Sequence, residues 1–395
     1  MNTRTLVAPA ALILALAGSA PASDCTGTGR GYVPINDLGP GLYLGRFQGG
    51  LYPNGSNTIP FAHAFVGMRK AGQITARDAA GAPSATGKVA FLSIGLSNST
   101  QEFCGGNFPN CQSFSFIGQA AASPAVNHSS LVIVDGAIGG QSTVTWDSPT
   151  DPNYDTIRTT RLGVAGVTER QVQAIWIKLA DPGPTVSLPD AGANAYTLEQ
   201  GLGNVVRACK VRYPNLQIVY LSSRIYAGYA TSSLNPEPYA YESGFSVKWL
   251  IQAQITQKTG GGVDPLAGDL DPDTVAPWLA WGAYPWADGA TPRSDGLTWA
   301  CSDFNTSDGT HPANPARQKV GTLLLTGLLD SPQTTSWFTT RCRADFNGDG
   351  GLSTQDIFDF LNAWFVGLPR ADFTLSGDLS VQDIFAFLNA WFAGC

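Results

Sequence analysis

"KVAFLSIGLSNS", residues 88–99, joins the two patterns that decide the fold. Its first eight residues are rich in branched and aromatic side chains, a run too continuous for a half-exposed strand and suited to one covered on both faces. Gly95-Leu96-Ser97 then turns the chain where such a strand would hand over to a helix. Three later stretches repeat the first pattern: "SSLVIVDG" (129–136), "QAIWIKLA" (173–180) and "LQIVYLSS" (216–223). Helices are read over 154–163, 198–213, 241–256 and 315–329. The alternation predicts an α/β domain over residues 85–330, built on a parallel sheet covered on both faces.

Ligands of such sheets gather beyond the carboxyl ends of the strands, so the residues just after each run carry the chemical interest. Gly95-Leu96-Ser97-Asn98-Ser99 follows the first run and Gly136-Ala137-Ile138-Gly139-Gly140-Gln141 the second. A serine on a strand-to-helix turn exposes its hydroxyl and offers its own amide N–H to an oxyanion, and a glycine turn beside it brings a second N–H. The hydroxyl still needs a base. Of the three histidines, His63 and His128 read as packed or surface residues. His311, in "DFNTSDGTHP" (303–312), has Asp308 three residues ahead, placed to hold the imidazole tautomer that leaves its other nitrogen free for serine. Two readings stand at this point: a catalytic Ser97, His311 and Asp308, or a plain Asp-Gly turn in the same stretch. Ser99 is the rival to Ser97.

Ser97 after the first run, Gly140 after the second and Asp308-Gly309-Thr310-His311-Pro312 before the last helix resemble the first, second and fifth blocks of the SGNH (GDSL-like) hydrolases. Gly-x-Ser-Asn at 95–98 is similar to their carbohydrate acetylesterase and sialate O-acetylesterase branch. The resemblance implies a three-layer α/β/α flavodoxin-like sandwich and ester hydrolysis through an acyl-serine. By it Ser97 is the nucleophile, His311 the base and Asp308 its orienter, with the Ser97 and Gly140 amides as the oxyanion hole and no catalytic cofactor. The third block departs: where the family has Gly-x-Asn-Asp, this chain reads Lys178-Leu179-Ala180-Asp181-Pro182. Lys178 and Arg224 are the two candidates to replace the missing asparagine donor. Residues 269–300 are rich in tryptophan, and Trp278, Trp281 and Trp286 are read either as a wall that stacks sugar rings or as an insertion packed by its own rings.

The C-terminus holds a duplication. "ADFNGDGGLSTQDIFDFLNAWF", residues 344–365, recurs 27 positions later with 16 of 22 positions identical. Asp345, Asn347, Asp349, Gly351, Ser353 and Asp356 in the first copy occupy the oxygen-ligand positions of a calcium loop, with Gly350 at its sharp turn. Asp372, Thr374, Ser376, Asp378, Ser380 and Asp383 correspond in the second, where Thr374 and Ser376 replace Asn347 and Asp349 and predict weaker calcium binding. A helix is expected after each loop. The pair, over 342–395, resembles a type I dockerin module, a small all-α domain of two EF-hand-like loop-helix repeats, here ending in Gly394-Cys395. That resemblance implies calcium as cofactor and a cohesin-like module or cell-surface component as partner.

Charged residues are only 13% of the 395, against roughly 25% in average globular chains. The formal charge of -7 and the lack of a basic cluster argue against nucleic-acid binding. Residues 1–22 read as a secretory signal, too short in apolar length for the ~20 residues of a spanning helix. Secretion, or residence at the cell surface or in the periplasm, makes disulfides possible among the seven cysteines. Cys104 with Cys111, and Cys342 with Cys395, are the pairings that spacing suggests, and one cysteine must stay over. Residues 23–84 form a glycine-rich extension with no assigned chemistry, and 331–341 a polar linker. The expected function is a secreted esterase acting on O-acyl, chiefly O-acetyl, groups of carbohydrate. The rival is a catalytically silent carbohydrate-binding or surface protein of the same fold.

Overall fold

The computed structural model describes residues 23–395, so the expected signal segment 1–22 lies outside the described residues. The four strand runs form β1 (Val89–Gly95), β2 (Leu131–Asp135), β3 (Val172–Lys178) and β4 (Ile218–Ser222), and a fifth strand, β5 (Trp278–Ala283), completes the sheet. All neighbours are parallel, in the order β2-β1-β3-β4-β5. Every residue of β1, β3 and β4 is buried, as two covered faces require. The order reverses beside β1, and the crevice at that switch point opens beyond its carboxyl end.

Seven helices surround the sheet: α1 (Phe61–Gly72), α2 (Ser97–Phe103), α3 (Phe116–Ala122), α4 (Pro152–Ile157), α5 (Asn194–Arg212), α6 (Tyr239–Lys258) and α7 (Asn314–Asp330). The α2, α3 and α7 helices pack on one another over one face, and α5 packs on α6 over the other. This is the three-layer α/β/α sandwich expected from the sequence.

Three expectations are corrected. Trp278 and Trp281 belong to β5, and Trp278 and Trp286 are fully buried, so these rings are core and form no substrate wall. Their indole N–H groups are spent inside the protein: Trp278 donates to the His63 carbonyl at 2.9 Å, Trp281 to the Leu51 carbonyl at 2.8 Å and Trp286 to Glu237 at 2.8 Å. Residues 331–341 are no free linker, because Trp337 and Phe338 are buried against Phe91 of β1, with ring centroids 5.9 and 6.2 Å away. Residues 23–84 are no separate extension either. Cys25 is bonded to Cys301, Asp288 accepts from the Arg30 and Gly31 N–H at 2.6 and 2.8 Å, and α1 lies on β5, where the His63 imidazole meets the Leu279 carbonyl at 2.8 Å. Burial of that ring lowers its pKa to about 4 and keeps it neutral, a packed histidine as read.

Cys104–Cys111 and Cys342–Cys395 are the other two disulfides. Cys209 is left over, buried on α5, its thiol pushed up to about 12 by burial. Among the described residues no helix is long and apolar enough to cross a membrane.

The duplicated segment folds as two loop-helix units, ending in α8 (Thr354–Phe365) and α9 (Val381–Ala393). Its core is symmetric: Phe360 and Phe387 stack face to face at 4.1 Å. The Trp364 indole donates to the Ser380 carbonyl and the Trp391 indole to the Ser353 carbonyl, each at 3.0 Å, so each unit's helix braces the other unit's loop.

Candidate active site

Ser97 is the first residue of α2, set directly beyond β1 by the extended Leu96. The turn depends on Gly95: a Cβ there would lie 2.2 Å from the Ser99 hydroxyl oxygen. Ser99 is fully buried and donates to the Lys178 carbonyl at 2.7 Å while accepting from the Leu96 N–H at 3.2 Å. It staples the turn to β3 and is not the nucleophile. Asp135, at the carboxyl end of β2, anchors α2 by accepting from the Ser93 hydroxyl at 2.6 Å and from the Thr100 hydroxyl. Burial pushes Asp135 up to about 6, against the pull of those two hydrogen bonds.

The stretch 303–312 returns to this point from 214 residues away: the Ser97 Oγ and the His311 Nε2 are 2.9 Å apart. His311 Nδ1 lies 2.9 Å from Asp308 Oδ2. The other Asp308 oxygen, Oδ1, accepts from the Thr310 and His311 N–H at 2.7 and 2.9 Å. One carboxylate therefore shapes the turn and orients the base. Partial burial raises its pKa, but the His311 and Thr310 N–H groups and the His311 ring outweigh this and leave it below the usual carboxylate value. The turn is locked by Gly309, whose φ of +61° is the left-handed region and whose Cβ would strike the Tyr229 carbonyl at 2.0 Å. Asn98, buried, donates to the Thr310 carbonyl at 3.2 Å and ties the serine turn to the histidine turn.

Ser97 and His311 open into a cavity of about 270 Å³ that Gly140, Gln141, Ala180, Pro182, Arg224 and Asn235 help to line. Gly140 has φ +77° with free space around its Cβ position. Neither its amide N–H nor that of Ser97 has an acceptor among the described residues. Both are free to meet a developing oxyanion.

Of the two candidates for the missing third-block donor, Lys178 is excluded. Its side chain points away from the cavity, fully buried, with Nζ 2.7 and 2.6 Å from the two carboxylate oxygens of Glu102 on α2. Burial lowers the lysine and raises the glutamate, and their mutual attraction opposes both shifts. Arg224 does line the cavity. It is 3% exposed, and among the described residues its Nε has no partner and its guanidinium makes one hydrogen bond, a long 3.4 Å contact to the Leu234 carbonyl.

The sequence reading gave no role to Asn235, Leu234 or Asp181. Asp181 accepts from the Thr143 N–H and hydroxyl at 2.9 and 2.6 Å, and its carbonyl takes the Asn235 amide at 2.7 Å, so the loops after β2, β3 and β4 are clamped together around the cavity. Their position beyond strand ends was the available signal.

A scan of protein-family models finds no match, and a comparison with curated proteins finds none. Among solved structures, the chain is similar to an extracellular lipase from Streptomyces rimosus at 14% identity, covering 62% of this chain and 99% of that one with a TM-score of 0.31. It is also similar to a carbohydrate acetylesterase from Sinorhizobium meliloti at 12% identity, covering 61% and 97%, TM-score 0.35. A third likeness is to a carbohydrate esterase family 2 enzyme from Corynascus thermopiles at 10% identity, covering 62% and 66%, TM-score 0.32. At these scores the chemistry of the site has to be read from its own side chains.

In the C-terminal unit, the Asp345 carboxylate accepts from the Gly348, Asp349 and Gly350 N–H at 2.9, 3.1 and 2.9 Å, and Asp356 accepts from Asn347 and Ser353 N–H at 3.2 and 2.8 Å. Asn347 and Asp349 meet side chain to side chain, and the Gly351 N–H donates to Asp349 at 2.9 Å. The second loop repeats the plan: Asp372 accepts from Ser376 and Gly377, Asp383 from Thr374 and Ser380, and Asp378 from the Ser376 hydroxyl. Burial, with Asp383 close by, holds Asp372 above the usual carboxylate value against the Gly377 and Ser376 N–H bonds. Among the described residues no three His, Cys, Asp or Glu side chains converge as a metal cluster.

Proposed function

We propose that this chain is an exported serine esterase that removes short acyl groups from carbohydrate, with a calcium-binding, dockerin-like tail for attachment to a cohesin-like module or cell-surface component. The observation that carries the catalytic reading is the unbroken relay of two 2.9 Å contacts from Asp308 through His311 to Ser97 at the mouth of a cavity. Ser97 Oγ attacks the acyl carbon while His311 Nε2 takes its proton. The ester's carbonyl oxygen becomes an oxyanion held by the Ser97 and Gly140 N–H groups. Collapse expels the alcohol, which takes the proton back from His311, and leaves an acyl-serine. Water then repeats the sequence and releases the acid. The cavity of about 270 Å³ walled by Ala180, Pro182 and Leu234 has room for an acyl group together with part of its leaving group, and the choice of acetyl is inferred from the resemblance. The sugar leaving group is inferred from the Gly-x-Ser-Asn resemblance. A fluorophosphonate probe tests this reading: it should label Ser97, and His311→Ala should suppress labelling. A folded protein that never labels overturns it.

Arg224 takes the place of the missing asparagine. A guanidinium with no ion pair among the described residues, in a low-dielectric wall of the cavity, stabilises an oxyanion more strongly than the same group in water. Arg224→Met is expected to lower kcat on p-nitrophenyl acetate by about 10² to 10³, the size of one lost oxyanion donor, with KM little changed. Steady-state kinetics on that uncharged substrate check it; an unchanged kcat removes Arg224 from the hole.

In the tail, oxygen donors alone line both loops, which suits a hard cation; Asp345, Asn347, Asp349, Ser353, Asp356 and the Gly351 carbonyl would hold it in the first. Calcium would neutralise the facing Asp372 and Asp383 in the second loop. Titration calorimetry is expected to show two sites, the second about tenfold weaker, and Asp345→Ala is expected to remove the tighter one.

A further inference from the structure

Away from the Ser97 cavity, α5, α6 and the loop 261–266 enclose a second pocket of about 420 Å³. Glu199 of α5 faces it. This residue is 96% buried by its 4% exposure, yet its carboxyl has no hydrogen-bond or ion-pair partner among the described residues. Tyr196 and Trp249 stack at 5.2 Å and form an aromatic wall beside it. Asp264, opposite on the loop, spends one oxygen on the Leu266 and Ala267 N–H at 2.8 and 3.0 Å and leaves the other without a partner among the described residues. No Lys, Arg or His lines the pocket. The neighbouring bases are engaged elsewhere: Arg207 donates to the Ala267 carbonyl and to Asn204, and Lys258 pairs with Asp273.

We propose that this pocket binds an organic ammonium group, seated against the Tyr196 and Trp249 rings and paired with the Glu199 and Asp264 carboxylates. Two acids beside a stacked aromatic pair, with no basic side chain lining the pocket, are the complement of a positively charged, weakly hydrated head. A neutral sugar would stack on the same rings, but it would make no ion pair with either acid. Burial first, and Asp264 second, push Glu199 up to about 8, and a bound cation reverses the second cause and offsets the first. The inference does not depend on the esterase reading, since none of these residues lines the Ser97 cavity.

Choline is the probe, titrated calorimetrically into the full-length protein, with glucose as the neutral control. Wild type is expected to bind choline saturably and glucose not at all. Glu199→Gln, isosteric and uncharged, is expected to weaken choline by about tenfold or more, the scale of one charge-assisted contact. Asp264→Asn keeps the oxygen that caps the Leu266 and Ala267 N–H groups, so it tests the second charge without disturbing the loop, and about a threefold loss is expected. Ester hydrolysis by both variants should stay at the wild-type rate, which separates this site from the Ser97 chemistry. The proposal is overturned if wild type shows no saturable choline binding, if Glu199→Gln binds it equally well, or if glucose competes.

Discussion

Replacing His311 by alanine is expected to lower kcat on p-nitrophenyl acetate by about 10⁴-fold or more, because the serine then has no base and the relay acts as a unit. Asp308 allows a finer dissection, because its two oxygens do different work. Asp308→Asn keeps an oxygen to accept from the Thr310 and His311 N–H groups, so the turn should survive. Its amide would replace Oδ2 with a donor facing His311 Nδ1, which favours the tautomer whose Nε2 carries a proton and cannot accept from Ser97. A loss of about 10⁴-fold in kcat is expected with a normal melting temperature. Asp308→Ala should lose both functions and melt lower. Kinetics and thermal melts on the three variants check the order. If Asp308→Asn keeps near wild-type turnover while His311→Ala does not, the carboxylate is only a turn-former.

What the sequence showed plainly was whatever is local in the chain. A strand run covered on both faces is a short continuous apolar word, so β1 to β4 were legible, and the serine and histidine turns were legible because each is written within a few residues. The misreadings share one physical cause. In β5, "WLAWGA" lacks the β-branched valines and isoleucines that mark the other strands, so its rings looked like a binding surface when they were sheet core. Residues 331–341 are polar on average, but burial is decided by Trp337 and Phe338 alone. The helix α1 lies in a glycine-rich region whose order comes from distant partners, Leu279 among them. Arg224 was legible from its place just after β4, whereas Asn235 reaches the cavity through loop conformation at φ +59°, which no pattern of residue types encodes.

The broken third block has a structural answer that is the most consequential for stability. Lys178 ends β3 and Glu102 lies on α2, the helix that begins with Ser97, and both side chains are fully buried with Nζ bridging the two carboxylate oxygens. Lys178→Met should therefore strand a carboxylate in the core beneath the nucleophile's helix, at a cost of about 3 to 5 kcal/mol. Glu102 would escape part of that cost by taking a proton, so the loss is expected to shrink as pH falls from 8 to 5. Removing both charges is a different experiment. A Lys178→Met, Glu102→Leu double variant removes both members of the pair, with Arg224 left as the neighbouring buried charge, and is expected to recover much of the single variant's loss, since apolar replacements of buried pairs are often neutral or stabilising. Urea unfolding midpoints of the two variants decide the matter. Kinetics on the double variant then separate the two candidates for the missing donor: with Ser97, His311 and Arg224 in place, kcat should stay within about tenfold of wild type. A collapse of kcat in a well-folded double variant would return the oxyanion role to position 178.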